Sequence, residues 1–205
     1  MAKYDIGGSQ GLYQPGSNDL VLANKLGITE VEDMDEAELV LLEKIYEDVL
    51  INQLPDGFIK LEDIKTWHRR WLGNVYEWAG DERSVNMSKG GFTFAAAAQI
   101  PHSLNKLESD YLNRYTPCTD LNAEKLIEAI AIIHIEFILI HPFREGNGRL
   151  SRLLADVMAA QAGFQPLDYS MWDENKGEYF SAIQQGVDMN YEPMKKWVER
   201  ALERN

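Results

Sequence analysis

The segment Asn122–Ile140 constrains this chain more than any other. Within it the run IEAIAIIHIEFILI is apolar on nearly every side, so a helix built from it has no broad polar face to offer water and must be wrapped by other elements. Pro142 sets its end, because proline disfavours helical geometry at the residue before it, here His141. The most apolar part, Ala129 to Ile140, carries His134 and Glu136 and is too short to span a bilayer. At 205 residues and 45% hydrophobic composition, the chain has enough apolar material to surround one central helix with one core.

Helical spacing recurs on both sides of this segment. Over Met34–Leu54, the residues Leu39, Leu42, Ile45, Tyr46, Val49 and Leu50 fall on one face, with Asp35 and Glu36 in the first turn and Pro55-Asp56-Gly57 as a closing turn. Over Leu61–Leu72, the face is Ile64, Trp67, His68 and Trp71. After Pro101 the pattern predicts helices at His102–Tyr115, Arg149–Ala162, Asn175–Gln185 and Tyr191–Glu203. Between them, Arg83–Phe94 alternates loosely around Gly90-Gly91 and is the only strand signal. Two strands cannot make a core alone, so this hairpin must lie against helices. Residues 1–30, rich in Gly, Ser, Asn and Pro, read as an irregular arm with a short helix near Val21–Leu26. The expectation is an all-α domain over 31–205 behind an arm at 1–30, with a β-hairpin insert at about 83–95.

Charge narrows the partners. Twenty Lys and Arg against 33 Asp and Glu give −13, a field that disfavours general nucleic-acid binding and adhesion to anionic membrane. The single cysteine, Cys118, excludes an internal disulfide framework and a multi-cysteine metal site, and is expected to be inert. MAKYDIGGSQ lacks the apolar core of a signal peptide, so the expected location is cytoplasmic. Delivery into another cell is compatible with that.

Against this acidic background one basic cluster stands out. His141 to Arg152 reads HPFREGNGRLSR. Gly146 and Gly148 bracket Asn147 and allow a turn whose N–H groups point together onto a helix start, which suits phosphate oxygens. Arg149 and Arg152, three apart on the first turn, add positive forks. Glu145 is a suitable ligand for the Mg²⁺ that accompanies a nucleotide triphosphate. His141, with an ordinary pKa near about 6.5, is placed as a general base. Each element alone is commonplace; together they describe a phosphate-transfer site.

This segment resembles the signature of the Fic family, His-x-Phe-x-(Asp/Glu)-Gly-Asn-Gly-Arg-x-x-Arg, and matches it at every fixed position. The similarity extends to His134–Phe137, to Val75–Arg83 followed by Ser88–Ala95, which is similar to the family's flap hairpin, and to Asp168–Ala182 on its nucleotide side, and so covers roughly residues 35–200. The resemblance implies transfer of AMP from ATP to a Tyr, Ser or Thr hydroxyl of a target protein, with pyrophosphate released. Carried over, His141 deprotonates the hydroxyl and Glu145 holds Mg²⁺. Gly146, Asn147 and Gly148 cradle the phosphates, Arg149 and Arg152 contact the β- and γ-phosphates, and Phe143 anchors the loop. Ser88, Lys89, Gly90, Gly91, Phe92, Thr93 and Phe94 form the flap that docks the target by main-chain pairing. Tyr179 is a candidate wall of the adenine pocket, weighed evenly against plain core packing.

The family's kinase branch carries Lys where this chain has Gly148, so Gly148 favours AMP transfer; a phosphocholine transferase and a non-catalytic binding module are the other readings. The family's inhibitory pattern, (Ser/Thr)-x-x-x-Glu-(Gly/Asn), fits only Ser170–Asn175, after the motif, where Asp173 or a neighbour is expected to cap the next helix. That leaves a separate small antitoxin-like protein as the expected inhibitor. A zinc site lacks a third ligand at suitable spacing from His134 and His141, a deaminase lacks its cysteines, and no Walker lysine loop occurs.

Overall fold

The apolar segment forms helix α5, Ala123–Ile140, capped where the Asn122 side chain accepts from the Lys125 amide. In the computed structural model, which describes residues 5–6 and 9–203, the other helices are arranged around it. Its broadest contacts are with α6 (Asn147–Gln161) and α9 (Glu192–Glu203). A second pair, α1 (Val31–Tyr46) and α2 (Leu61–Leu72), packs together and closes on α6. The remaining helices are α3 (Ile100–Lys106), α4 (Asn113–Tyr115), α7 (Ser170–Glu174) and α8 (Lys176–Gln185). The all-α expectation holds. Among the described residues no helix is long and apolar enough to cross a membrane.

Several boundaries differ from the sequence reading, each for a local reason. Helix α1 begins three residues before Met34, so Glu32 and Asp33 occupy its first turn rather than Asp35 and Glu36. It then widens into π-helix over Glu47–Asn52. Its buried side is Met34, Glu38, Ile45 and Val49, while Leu39 is 53% exposed and Val40 is exposed too. The buried stripe of the regular helix runs through Glu38, at four- and seven-residue spacing from Met34 to Ile45, which turns Leu39 and Val40 outward. Helix α3 starts at Ile100 with Pro101 in its first turn, where a missing N–H costs nothing. It runs through a π-helical stretch, Leu107–Leu112, into α4.

The described part of the arm, from Ser9 on, is ordered by polar contacts instead of periodicity. No helix forms near Val21–Leu26; Tyr13 bridges to Leu22, and the Asn24 amide donates to the carbonyls of Leu22 and Ile28. The hairpin is present as β2 (Met87–Lys89) and β3 (Phe92–Thr93), turning on Gly90 and Gly91, both at positive φ. It is not the only strand structure. Asp5–Ile6, strand β1, pairs antiparallel with β2, giving the order β1-β2-β3. Val85, Met87 and Phe94 form a small core of their own beneath the hairpin.

Candidate active site

Helix α5 ends at His141 in the left-handed region, φ 51° and ψ 59°, where a side chain other than glycine's is held only by its surroundings. Its amide donates to the Phe137 carbonyl at 2.9 Å, and its carbonyl accepts from Arg83 Nε at 2.6 Å. The imidazole stacks on Phe94 with ring centres 3.8 Å apart. Nδ1 lies 3.3 Å from the Ile138 carbonyl. A carbonyl only accepts, so Nδ1 carries the proton and Nε2 is the basic nitrogen. Burial, with the Arg83 charge added, pushes the His141 pKa down to about 3. The ring is therefore neutral at neutral pH.

The loop after His141 is braced from below. Phe143 stacks on His68 at 4.0 Å. His68 accepts from the Gly80 amide on Nδ1, which leaves Nε2–H to donate to the Glu145 carbonyl at 3.1 Å. The Asn147 side chain accepts from the Phe143 amide and donates to the Phe143 carbonyl. Asn147 is thus buried and spent on the loop. Gly146 sits at φ 81°, and a Cβ there would come within 2.6 Å of the Trp71 ring. Helix α6 starts immediately afterwards, so Gly148 is helical and does not shape the turn; a Cβ on it would meet nothing within 4 Å.

Arg149, in the first turn of α6, and Arg152, in its second because the helix starts at Asn147, point toward one cleft, as their spacing predicts, and each is held by a carboxylate from another element. Arg149 Nη2 bonds Glu38 Oε2 at 2.5 Å, lies 3.5 Å from Glu145 Oε1, and stacks its guanidinium 4.6 Å from the Trp71 ring centre. Glu38, only 3% exposed, also accepts from the Tyr76 hydroxyl at 2.7 Å, while its backbone carbonyl accepts from the Trp71 indole. Arg152 makes a two-pronged bond with Asp173, at 3.0 and 2.8 Å. Asp173 therefore pairs with an arginine instead of capping α8, which has no side-chain cap bond. The neighbouring Glu174 points to solvent.

These groups line a cleft of about 500 Å³. His141, Glu145, Gly146, Gly148, Arg149 and Arg152 form its polar end; Trp172, Tyr179, Phe180 and Ile183 form its apolar end. Tyr179 stacks on Trp172 at 5.0 Å, and its hydroxyl shares a 2.7 Å hydrogen bond with His134. Lys89 reaches over from the hairpin and lies 5.3 Å from the Phe180 ring centre. It is the hairpin residue that enters this cleft. Phe92, Thr93 and Phe94 line the neighbouring groove, and Ser88 pairs with Thr93 inside the sheet.

Glu145 presents a hard oxygen beside the Gly146 amide, the donor type Mg²⁺ takes. No group of three or more His, Cys, Asp or Glu that could hold a metal occurs among the described residues. The site suits an ion that arrives with its other ligands on phosphate and water. Cys118 is buried, and burial pushes its thiol up to about 12, in line with the expected inertness. Glu38, His68, Trp71, Tyr76 and Arg83 went unassigned in the sequence reading.

Helices wrapped around one apolar helix, with a hairpin and aromatic rings beside a basic helix start, define a nucleotide-handling helical domain. A family model described as the Fic/DOC family matches residues 58–159, and the chain belongs to that family. It is 30% identical to the probable protein adenylyltransferase Fic of Salmonella typhimurium over 79% of this chain and 78% of that one. It is 29% identical to the probable protein adenylyltransferase y4lH of Sinorhizobium fredii over 75% of this chain and 77% of that one. The Bartonella tribocorum BepC protein, crystallised with AMPPNP bound, superposes with TM-score 0.74 at 25% identity, over 93% of this chain and 95% of that one. Of the longer Caenorhabditis adenylyltransferases, the chain spans 24% and 23%.

Proposed function

We infer that the chain is a protein adenylyltransferase, which moves AMP from ATP to a hydroxyl side chain of a target protein. One observation carries this reading: a neutral, oriented histidine shares a single cleft with two arginines on a helix start and an aromatic wall. The target Tyr, Ser or Thr gives its proton to His141 Nε2 as its oxygen bonds to the α-phosphorus. The bond from that phosphorus to the bridging oxygen breaks, and pyrophosphate leaves. Arg149 and Arg152 would contact the β- and γ-phosphates, and Arg149 is already held by the buried Glu38, so little reorganisation of it is needed as charge shifts to the leaving group. Tyr179, backed by the buried Trp172 on which it stacks, would give the nucleobase an aromatic surface. Glu145 would hold the Mg²⁺ that accompanies ATP, and that ion would supply charge neutralisation to the phosphates.

The hairpin supports target docking by main-chain pairing. With β1 on one side of β2 and β3 on the other, β2 is fully paired, and the outer edge of β3, on the same hairpin as Lys89 and Phe94, is an edge a target strand can join. Inhibition by a separate antitoxin-like protein and a cytoplasmic location complete the proposal. Gly148 supports AMP transfer over the kinase reading, since the space a lysine would fill stays open to the cleft. Purified protein incubated with Mg²⁺ and ATP labelled at the α- or the γ-phosphate tests this directly, with cell lysate supplying targets. Label is expected from α-labelled ATP alone and absent in His141→Ala; label from γ-labelled ATP would mean a kinase.

A further inference from the structure

We propose that Arg83 is a positioning residue that joins the catalytic base to the target-docking hairpin, so that His141 and the flap hold their relative places as one body. The proposal rests on the role given to His141 above. Arg83 is fully buried, and among the described residues no carboxylate pairs with it. Its guanidinium is instead spread over four backbone carbonyls. Nε donates to His141 at 2.6 Å, Nη2 donates to Ile140 at 3.2 Å and to Ala95 at 2.5 Å, and Nη1 donates to Val85. Its own amide donates to the Pro142 carbonyl at 2.8 Å.

Burying a guanidinium is costly unless its fixed fork of donors is met. Here the acceptors belong to two structures only. One is the C-terminal end of α5, where the helix dipole is negative and favours a cation. The other is the pair of strand feet, Val85 entering the hairpin and Ala95 leaving it. The Ala95 amide donates in turn to Leu139 at 3.1 Å, and Phe94 lies flat on the His141 ring. The catalytic residue is therefore fixed at its carbonyl by Arg83 and at its ring face by the flap. That explains how its left-handed conformation persists. A target strand laid on the flap then brings its hydroxyl to a set distance from Nε2. Losing that register by about 1 Å costs on the order of 100-fold in rate.

The test uses the full chain as Arg83→Lys, which keeps the charge but loses the fork, and Arg83→Gln, which loses both. Folding is checked by melting, nucleotide affinity with AMPPNP and Mg²⁺, and turnover with a lysate target. Folded Arg83→Lys is expected to lose on the order of 100-fold in kcat while AMPPNP affinity stays within about 2-fold. Full kcat in a folded variant, or equal losses in kcat and nucleotide affinity, overturns the proposal. Native-state hydrogen exchange on the wild-type chain needs neither variant. The amides of Arg83, Ala95 and His141 are expected to share one opening free energy. Flap amides that open well before His141 refute the coupling. Should the wild type transfer no AMP at all, the functional reading fails, and the exchange result still decides whether base and flap are one body.

Discussion

Two glycines one residue apart, one before α6 and one inside it, place opposite demands on the chain. Gly146 combines φ 81° with a Trp71 ring that an added Cβ would reach at 2.6 Å. Gly146→Ala is expected to destabilise by about 1–3 kcal/mol, through strain and displacement of Trp71, read as a lowered midpoint in denaturant. Gly148 is inside α6 with nothing within 4 Å of a Cβ, so Gly148→Ala is expected to leave stability unchanged or raise it by up to about 1 kcal/mol. The sequence pattern GNG treats the two alike; only the helix boundary separates them. Glu38 shows a different limit of the sequence. A glutamate on an amphipathic helix reads as solvated, yet this one is buried under Tyr76, Trp71 and Arg149. Its partners lie 38, 33 and 111 residues away, beyond any local pattern. Glu38→Ala is expected to leave Arg149 held by Glu145 and Trp71 alone and to weaken ATP binding by about 10-fold, the size of a lost charged hydrogen bond, measured by calorimetric titration.

Among the elements, α5 and the start of α6 were legible because continuous apolarity and a proline leave few alternatives. Helix α7 was not, because five residues are too few to show a period. It matters nonetheless, since it brings Asp173 to Arg152 at the edge of the cleft. The Asp173 side chain is 53% exposed, so the pair adds little to stability, within about 1 kcal/mol. Its negative charge faces the space for the terminal phosphates. Asp173→Ala is expected to tighten ATP binding by about 5-fold while moving the melting temperature little, which titration and calorimetry together would show. The arm was legible only as irregular. Its order comes from amides such as Asn24 and Gln14 bonding to backbone, contacts that have no spacing to read.

For the molecule as a whole, three of the four histidines are buried and neutral. Burial lowers His68 to about 4 and His134 and His141 to about 3. The unfolded chain takes up these protons first, so stability is present above about pH 6.5 and is lost as pH falls toward 4. Asp156 runs the other way: burial raises it to about 6, so its contribution falls as pH rises through that value. Burial raises Glu136 in the same sense as Asp156, and the three imidazoles outnumber these two carboxyls. A stability profile is expected to drop below pH 6.5 by about 1.4 kcal/mol per pH unit for each net proton. His134→Gln, which removes one titrating ring, should flatten the slope.

The same cleft carries its own optical probe. Trp71 lies under the Arg149 guanidinium, and Trp172 stacks on Tyr179 at the apolar end. A nucleotide whose phosphates engage the Arg149 guanidinium over one indole, and whose base rests on the Tyr179 ring that covers the other, changes the surroundings of both at once. Occupancy should therefore be visible as intrinsic emission at either end of the ligand, and Trp71→Phe or Trp172→Phe would silence the ends one at a time.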